Sequence, residues 1–318
     1  MRVLSGADIA GLVDAAALMP VLARAMRGVS AGQMEYPPRG MMPLGEGNHL
    51  GVMQGALVDP PSYGAKLLSL FPGNPEHGRS SHAGLMVLFD RETGLPRAVL
   101  DASVLTALRT AAASALATDV LARPDAAHLA IIGTGEEAAH HVHALRRVRH
   151  FSQIVVWGRH ADRAARFAAE HGTAVAPSLP AALDGADVVC TCTAATAAFL
   201  AAAMLPPGSH LNAVGGSVPA QRELHPDCIA ALRVVTDYRP AMEAGAGEVQ
   251  EARRLGLIAP DHPIAEIGEV LAGQVPGRSA PEERTLYRSL GVVAQDLAAA
   301  VHIVALAAAR GVGTEAQL

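Results

Sequence analysis

Lys66 is the only lysine in 318 residues; the other 24 basic residues are arginine. It sits in GAKLLSLF, a run otherwise free of charge. In a chain that otherwise uses arginine for positive charge, the one lysine is either a chance survivor on the surface or kept for a task arginine cannot perform. An ammonium is compact and its pKa falls on burial, so it can give or take a proton near neutral pH; a guanidinium stays charged. Arg109 is the second notable cation. In DASVLTALRTAAASALATD it is the one charge between Asp101 and Asp119. A helix apolar nearly all round is a buried helix, and a buried guanidinium needs an anion. That anion is either an acid from elsewhere in the chain or a substrate carboxylate gripped bidentately. Arg39, in EYPPRGMM, is a third candidate cation and by itself an ordinary loop arginine.

A second constellation lies in HLAIIGTGEEAAHH, where Gly133, Gly135 and Ala138 form G-x-G-x-x-A between a strand and a helix. The first glycine permits the tight turn and the second lets backbone approach a pyrophosphate. The small third residue lets helix and sheet pack closely. The turn Gly133, Thr134, Gly135, Glu136 and Glu137 is therefore assigned to dinucleotide binding. The next strand, QIVVWG, runs into Gly158, Arg159 and His160 where NAD sites usually carry an acid. Arg159 would attract a 2′-phosphate, so NADPH is preferred, with NADH as the alternative. The run EEAAHHVH has helical His/Glu spacing but no H-E-x-x-H order, and Cys190 and Cys192 form neither a zinc knuckle nor a redox C-x-x-C. No metal site is expected.

These groups must be positioned by an α/β chain of about two domains. Hydrophobic residues are 50% and charged residues 17% of the sequence, enough apolar material for a large core. The net charge of -5 and 3% aromatics exclude a nucleic-acid binder. Two apolar segments, 102–118 and 291–311, are interrupted by Arg109 and by Gln295, Asp296 and His302, so they read as buried helices and not membrane spans. Three cysteines make no disulfide framework, which suits a reduced, cytoplasmic compartment. Residues 1 to about 28 have a helical pattern with Ser5 or Asp8 as N-cap. From about 36 to 100, short apolar runs between Gly/Pro/Asn turns predict an antiparallel sheet, followed by a helix over about 102–122. From 128 to about 240, buried strands alternate with helices, the rhythm of a parallel doubly wound Rossmann sheet. The tail from about 283 reads as one long helix. The expected division is 1–118 as an α+β substrate and dimerisation domain, with 290–318 packing back on it, and 119–289 as the dinucleotide domain.

Taken together, GAKLLSLFPGN, TALRTAAASALAT, IIGTGEEA, ADVVCTCTA, HLNAVGGSVPAQRELH and RSLGVVAQDLAAA resemble the ornithine cyclodeaminase/mu-crystallin family over residues from about 35 to 305. The resemblance implies a homodimer formed through the substrate-domain sheet. It implies that Arg39, Lys66 and Arg109 hold the carboxylate of an imino or amino acid beside a nicotinamide. It also implies cofactor contacts from Thr191, Cys192 and Thr193, from Val214 and Gly215, and from Ser289 to Gly291. Cyclodeaminases of the family read NAVGGD, with an aspartate that handles the substrate amines; this chain reads NAVGGS, with Ser217, as mu-crystallin-like ketimine reductases do. The glutamate expected before a Met-Pro-like pair is Gly51 here, and the pair is Met53-Gln54. Both departures point to reduction of a small cyclic ketimine, with Lys66 and Ser217 catalytic and His82 a candidate for lining the pocket. Cyclodeamination, an alanine dehydrogenase-like amination of a 2-oxo acid, and NADPH binding with little chemistry remain the alternatives.

Overall fold

The computed structural model describes residues 1–216 and 219–317, with side chains for all of them except Pro75 and Glu76. The chain divides into two units: residues 1–109 with 292–318, and residues 110–291. The division falls inside the helix expected over 102–122, a little before the expected boundary.

The first unit contains β1 (Arg2–Leu4), α1 (Gly6–Leu12), α2 (Ala15–Ser30), β2 (Met34–Glu35), β3 (Gly40–Gly45), β4 (Asn48–Leu57), β5 (Ser62–Leu70), β6 (His82–Phe89) and β7 (Pro96–Asp101). The first half of α3 (Ala102–Leu121) belongs to it as well. The N-terminal stretch is not one helix. Ser5 closes a capping box with Asp8 at the start of α1, Val13 is extended, and Asp14 accepts from the Ala17 N–H to start α2. Caps outweigh a continuous apolar pattern here, because each new cap satisfies donors that a helix end leaves open. With β16 (Thr314–Glu315), the strands form one sheet in the order β16-β1-β7-β6-β5-β4-β2, with β3 also on β4. Pairing is antiparallel except between β1 and β7.

The second unit contains the rest of α3, then β8 (His128–Ile132), α4 (Glu136–Leu145), β9 (Gln153–Trp157), α5 (Ala161–His171), β10 (Ala174–Val175), α6 (Leu179–Leu183) and β11 (Val188–Thr191). It continues with β12 (His210–Ala213), α7 (Asp227–Ala231), β13 (Arg233–Thr236), α8 (Arg239–Gly245), α9 (Gly247–Arg254), β14 (Ala265–Glu266), α10 (Ile267–Leu271) and β15 (Thr285–Arg288). All eight strands run parallel in the order β10-β9-β8-β11-β12-β15-β13-β14, a doubly wound Rossmann sheet. The order reverses between β8 and β11, where such sheets open a ligand crevice at the strands' carboxyl ends.

The expected long terminal helix is corrected by this sheet. Residues 285–288 form β15, wholly buried between β12 and β13. A short buried apolar run carries no periodicity that separates strand from helix. The chain then returns to the first unit as α11 (Val293–Arg310), stopped by Gly311 at φ +66°, and ends in β16 (Thr314–Glu315). Helices α3 and α11 are long and apolar enough to cross a membrane, but 78% and 61% of their apolar windows are buried inside the protein.

Candidate functional site

Period-two alternation on β5 decides where Lys66 goes. Leu67 faces out, while Ser62, Gly64 and Lys66 face in, and Lys66 pairs with the buried Met53 of β4 and Met86 of β6. Its side chain is 1% exposed. The first turns of α11 bring Gln295 and Asp296 to it, both fully buried. The Lys66 ammonium donates to both Asp296 oxygens, each at 2.9 Å, and more weakly to the Thr106 hydroxyl at 3.4 Å. Arg109, also buried, donates from Nε to Asp296 Oδ1 at 3.0 Å and from Nη1 to Gln295 Oε1 at 2.8 Å.

Arg109 therefore does meet an internal acid, but that acid is shared. Two buried cations on one carboxylate leave a positive charge in surplus, and a buried surplus charge is costly until an anion arrives. Gln295 adds a second sign of a missing acceptor: its Nε2 is a buried donor with no hydrogen-bond partner among the described residues. Burial pulls Lys66 down to about 8; Asp296 opposes the fall, and Arg109 and Arg39 add to it. Burial works against charge on Asp296 too, yet Arg109 and Lys66 prevail and hold it below the ordinary carboxylate value. His82 lies exposed at the start of β6, its pKa lowered by packing of its ring and by the Lys66 ammonium. The first unit thus brings Arg109, Arg39 and His82 within electrostatic reach of Lys66. Sequence reasoning sees Asp296 and Gln295 only as interruptions of an apolar segment.

The second unit builds a dinucleotide cradle at the β8/β11 reversal. Gly133 has φ +129°, and a Cβ there would lie 2.4 Å from the Cys192 carbonyl oxygen, so only glycine fits. Gly135 is the N-cap of α4 without a side-chain cap, and a Cβ on it would meet nothing within 4 Å. That open space at a helix N-terminus suits a pyrophosphate. Thr134 packs against Gly158, whose added Cβ would come within 2.9 Å of its methyl group. Glu136 and Glu137 form the first turn of α4. Arg159 and His160 follow β9 and are exposed, and Arg159 makes no ion pair among the described residues.

One carboxylate braces the far side of this cradle. Buried Glu223 accepts from the Thr191 hydroxyl, from the Thr193 N–H and hydroxyl, each at 2.7 Å, and from the Gly215 N–H at 2.8 Å. Val214 donates to the Thr191 carbonyl and Cys192 to that of Ile132, so the exits of β8, β11 and β12 are tied together. Asp237 braces the exits of β13 and β15 in the same way. It accepts from the N–H groups of Leu290 at 3.0 Å and Gly291 at 2.6 Å, while the Ser289 N–H donates to the Ala213 carbonyl. Sequence reasoning missed Glu223 and Asp237, because a carboxylate that binds its own loops looks like any surface acid in a sequence. Ser217 lies outside the described residues.

Comparison with known proteins agrees with this architecture. Residues 1–310 match the ornithine cyclodeaminase/mu-crystallin family. The Δ1-pyrroline-2-carboxylate reductase of Bacillus cereus is 32% identical over 322 residues, covering 98% of each chain. Ketimine reductase mu-crystallin of Mus musculus is 34% identical over 286 residues, covering 89% of this chain and 88% of its own. Among solved structures, the Δ1-pyrroline-2-carboxylate reductase of Thermococcus litoralis, in complex with NADH and L-proline, superimposes with a TM-score of 0.94 at 28% identity. It covers 99% of this chain and 100% of its own. On sequence over nearly its whole length and on fold, this chain belongs to the ornithine cyclodeaminase/mu-crystallin family.

Proposed function

We propose that this chain reduces a small cyclic ketimine carboxylate, Δ1-pyrroline-2-carboxylate or Δ1-piperideine-2-carboxylate, to the cyclic L-amino acid at the expense of NADPH. The observation that carries the reading is the buried positive surplus at Lys66, Arg109 and Asp296. A substrate carboxylate neutralises it and gives the Gln295 amide its acceptor. Arg109 and Arg39 hold that carboxylate and so fix the imine carbon. Reduction of C=N needs a hydride at carbon and a proton at nitrogen. NADPH, when bound, supplies the hydride. Lys66, held at about 8 and so mostly protonated at neutral pH, supplies the proton directly or through one water and recovers it from solvent. Ser217 is assigned to orient the imine nitrogen or that water, and His82 to line the pocket.

Glycines 133 and 135, the Glu223 brace and the Asp237 brace are assigned to the dinucleotide. The preference for NADPH rests on Arg159, an exposed guanidinium where a carboxylate would repel a 2′-phosphate. The Thermococcus litoralis relative was solved with NADH, so this choice is specific to the residues here. We assign a homodimer through the outer face of the first unit's sheet, where Leu67 and Leu85 form an exposed cross-strand pair beside Val52.

The test follows NADPH absorbance with each ketimine, with and without ammonium. Rapid oxidation independent of ammonium supports the reading. Oxidation only with a 2-oxo acid plus ammonium would replace it with an alanine dehydrogenase-like activity. Ammonia release from ornithine would replace it with cyclodeamination, and NADPH binding without turnover on any of these would leave a binding protein. Light scattering reads the dimer, and a monomer at micromolar concentration would refute that assignment.

A further inference from the structure

The doubly wound unit buries a cluster of which only Cys192, an implied cofactor contact, has a part in ketimine reduction. Cys190 and Cys192 are two residues apart at the end of β11, so both side chains point to the same face of the sheet. Their sulfurs are 3.6 Å apart. Above that face, α4 lays down Ala138, His141, Val142 and Leu145, spaced as one helical stripe. His141 is the one polar member of the stripe and is fully buried. Its Nδ1 lies 2.6 Å from the Glu137 carbonyl oxygen, which can only accept, so Nδ1 carries a hydrogen and Nε2 is the nitrogen left for a ligand. This is how metal-binding imidazoles are usually oriented, with the second nitrogen donating to a carbonyl or carboxylate. One ligand atom from each of His141, Cys190 and Cys192 lies within 4.8 Å of the others.

We infer that His141, Cys190 and Cys192 form a binding site for a borderline-soft divalent cation of the zinc class. A tetrahedral zinc with Zn–S bonds of about 2.3 Å sets its sulfurs about 3.8 Å apart, so the observed 3.6 Å asks for little movement. Each thiol that binds loses its proton to solvent and forms one metal–sulfur bond; nothing is oxidised or reduced. Two thiolates neutralise a dication, and a neutral complex suits the apolar neighbours Ile131, Val142 and Val188. Imidazole and thiolate together select zinc-like metals over magnesium or calcium. The Ser114 hydroxyl is hydrogen-bonded to Nε2 at 2.9 Å, so it must turn aside, and it or a water completes the tetrahedron. Cys192 is half-buried and gives the route in. Its carbonyl packs against Gly133, so the metal would tie β11 to α4 directly under the dinucleotide turn.

Cobalt(II) is the probe, added to reduced, chelator-treated full-length protein. The expected result is uptake of one equivalent, with the intense visible absorption of four-coordinate cobalt and a near-ultraviolet thiolate-to-cobalt band, both erased by excess zinc(II). C190S and C192S each weaken the band and the double variant abolishes it, whereas C228S keeps it, since Cys228 is buried elsewhere on α7. Zinc should raise the melting temperature of the unaltered protein and of C228S, and leave that of C190S/C192S unchanged. The weak spectrum of six-coordinate cobalt on the unaltered protein would overturn the site, as would a thiolate band surviving in the double variant. The spectrum of the unaltered chain depends neither on a variant folding nor on the reduction of any imine.

Discussion

Asp296→Asn isolates the electrostatics of the cation cluster. Asparagine keeps the shape of the side chain and removes its charge. Asp296 is the one group that raises the pKa of Lys66; burial, Arg109 and Arg39 all lower it. Without the carboxylate the midpoint must fall from about 8. Buried lysines lacking a counter-charge titrate at roughly 5–6, so a fall of about two units is expected, or about 2.7 kcal/mol at 1.36 kcal/mol per unit. At pH 7 the protonated fraction then drops from about nine-tenths to about one-tenth. Because the chain has a single lysine, protein grown with 13C-lysine gives one Cε resonance, and its titration reads the midpoint without any enzyme assay. The same shift has a defined sign in turnover. If the proposed reduction consumes the lysine proton, kcat/KM declines as pH rises through the midpoint, and in the variant that decline should begin about two units lower. Breaking a buried pair costs about 3–5 kcal/mol, less where the orphaned lysine can shed its charge, so circular dichroism must first show a folded variant. A Cε midpoint at or above 8 in folded Asp296→Asn would refute the reasoning.

Four further outcomes test the rest of the site. Lys66→Arg keeps the charge but cannot release a proton; ketimine turnover should fall at least ~100-fold while NADPH still binds, and near-normal turnover would remove the proton-relay role. Glu223→Gln replaces one acceptor oxygen by an amide donor; a threonine hydroxyl can turn to accept from it, but the Thr193 or Gly215 N–H that faces it is left unpaired, at about 1–3 kcal/mol; denaturant melts should show the loss, and fluorescence titration should show NADPH affinity down by an order of magnitude. Gly133→Ala must hold φ +129° and a Cβ 2.4 Å from the Cys192 carbonyl oxygen, so a loss of about 1–3 kcal/mol and of dinucleotide binding is expected. Arg159→Asp should move the NADPH/NADH ratio of kcat/KM towards NADH by at least ~tenfold, about 1.4 kcal/mol; an unchanged ratio would mean that Arg159 does not meet the 2′-phosphate.

Much of this was legible because its signals are local. The glycine turn, the strand before it and the helix after it are contiguous in sequence, and their periods alone specify a doubly wound sheet. Lys66 and Arg109 stood out because each interrupts an apolar run. What could not be read was pairing over long separations. Asp296 is 230 residues from Lys66, and no spacing rule links them. A charge argument would have: two buried cations require a buried anion, and QD near the start of the last apolar helix is the place to look. Glu223 gave less signal, because its partners are two hydroxyls and two backbone N–H groups that have no signature in sequence. The break at Val13–Asp14 escapes a sequence reading because the apolar pattern continues on both sides of it. The β15 strand was lost because four buried residues carry no period.

The cluster also explains why one arginine and one lysine share a single carboxylate. With both cations charged, the three buried groups carry one net positive charge, and a carboxylate substrate brings the sum to zero. In the proposed reaction, once Lys66 gives its proton to the imine nitrogen, the same set with its bound carboxylate is negative by one. That negative charge raises the affinity of Lys66 for a proton from solvent, so the act of donation favours its own reversal at the lysine. Arg109 stays outside this cycle. It holds both Asp296 and Gln295 throughout, so the carboxylate keeps its partner while the charge on Lys66 comes and goes. Two lysines would risk losing the clamp along with the proton, and two arginines would keep the clamp and have no proton to give.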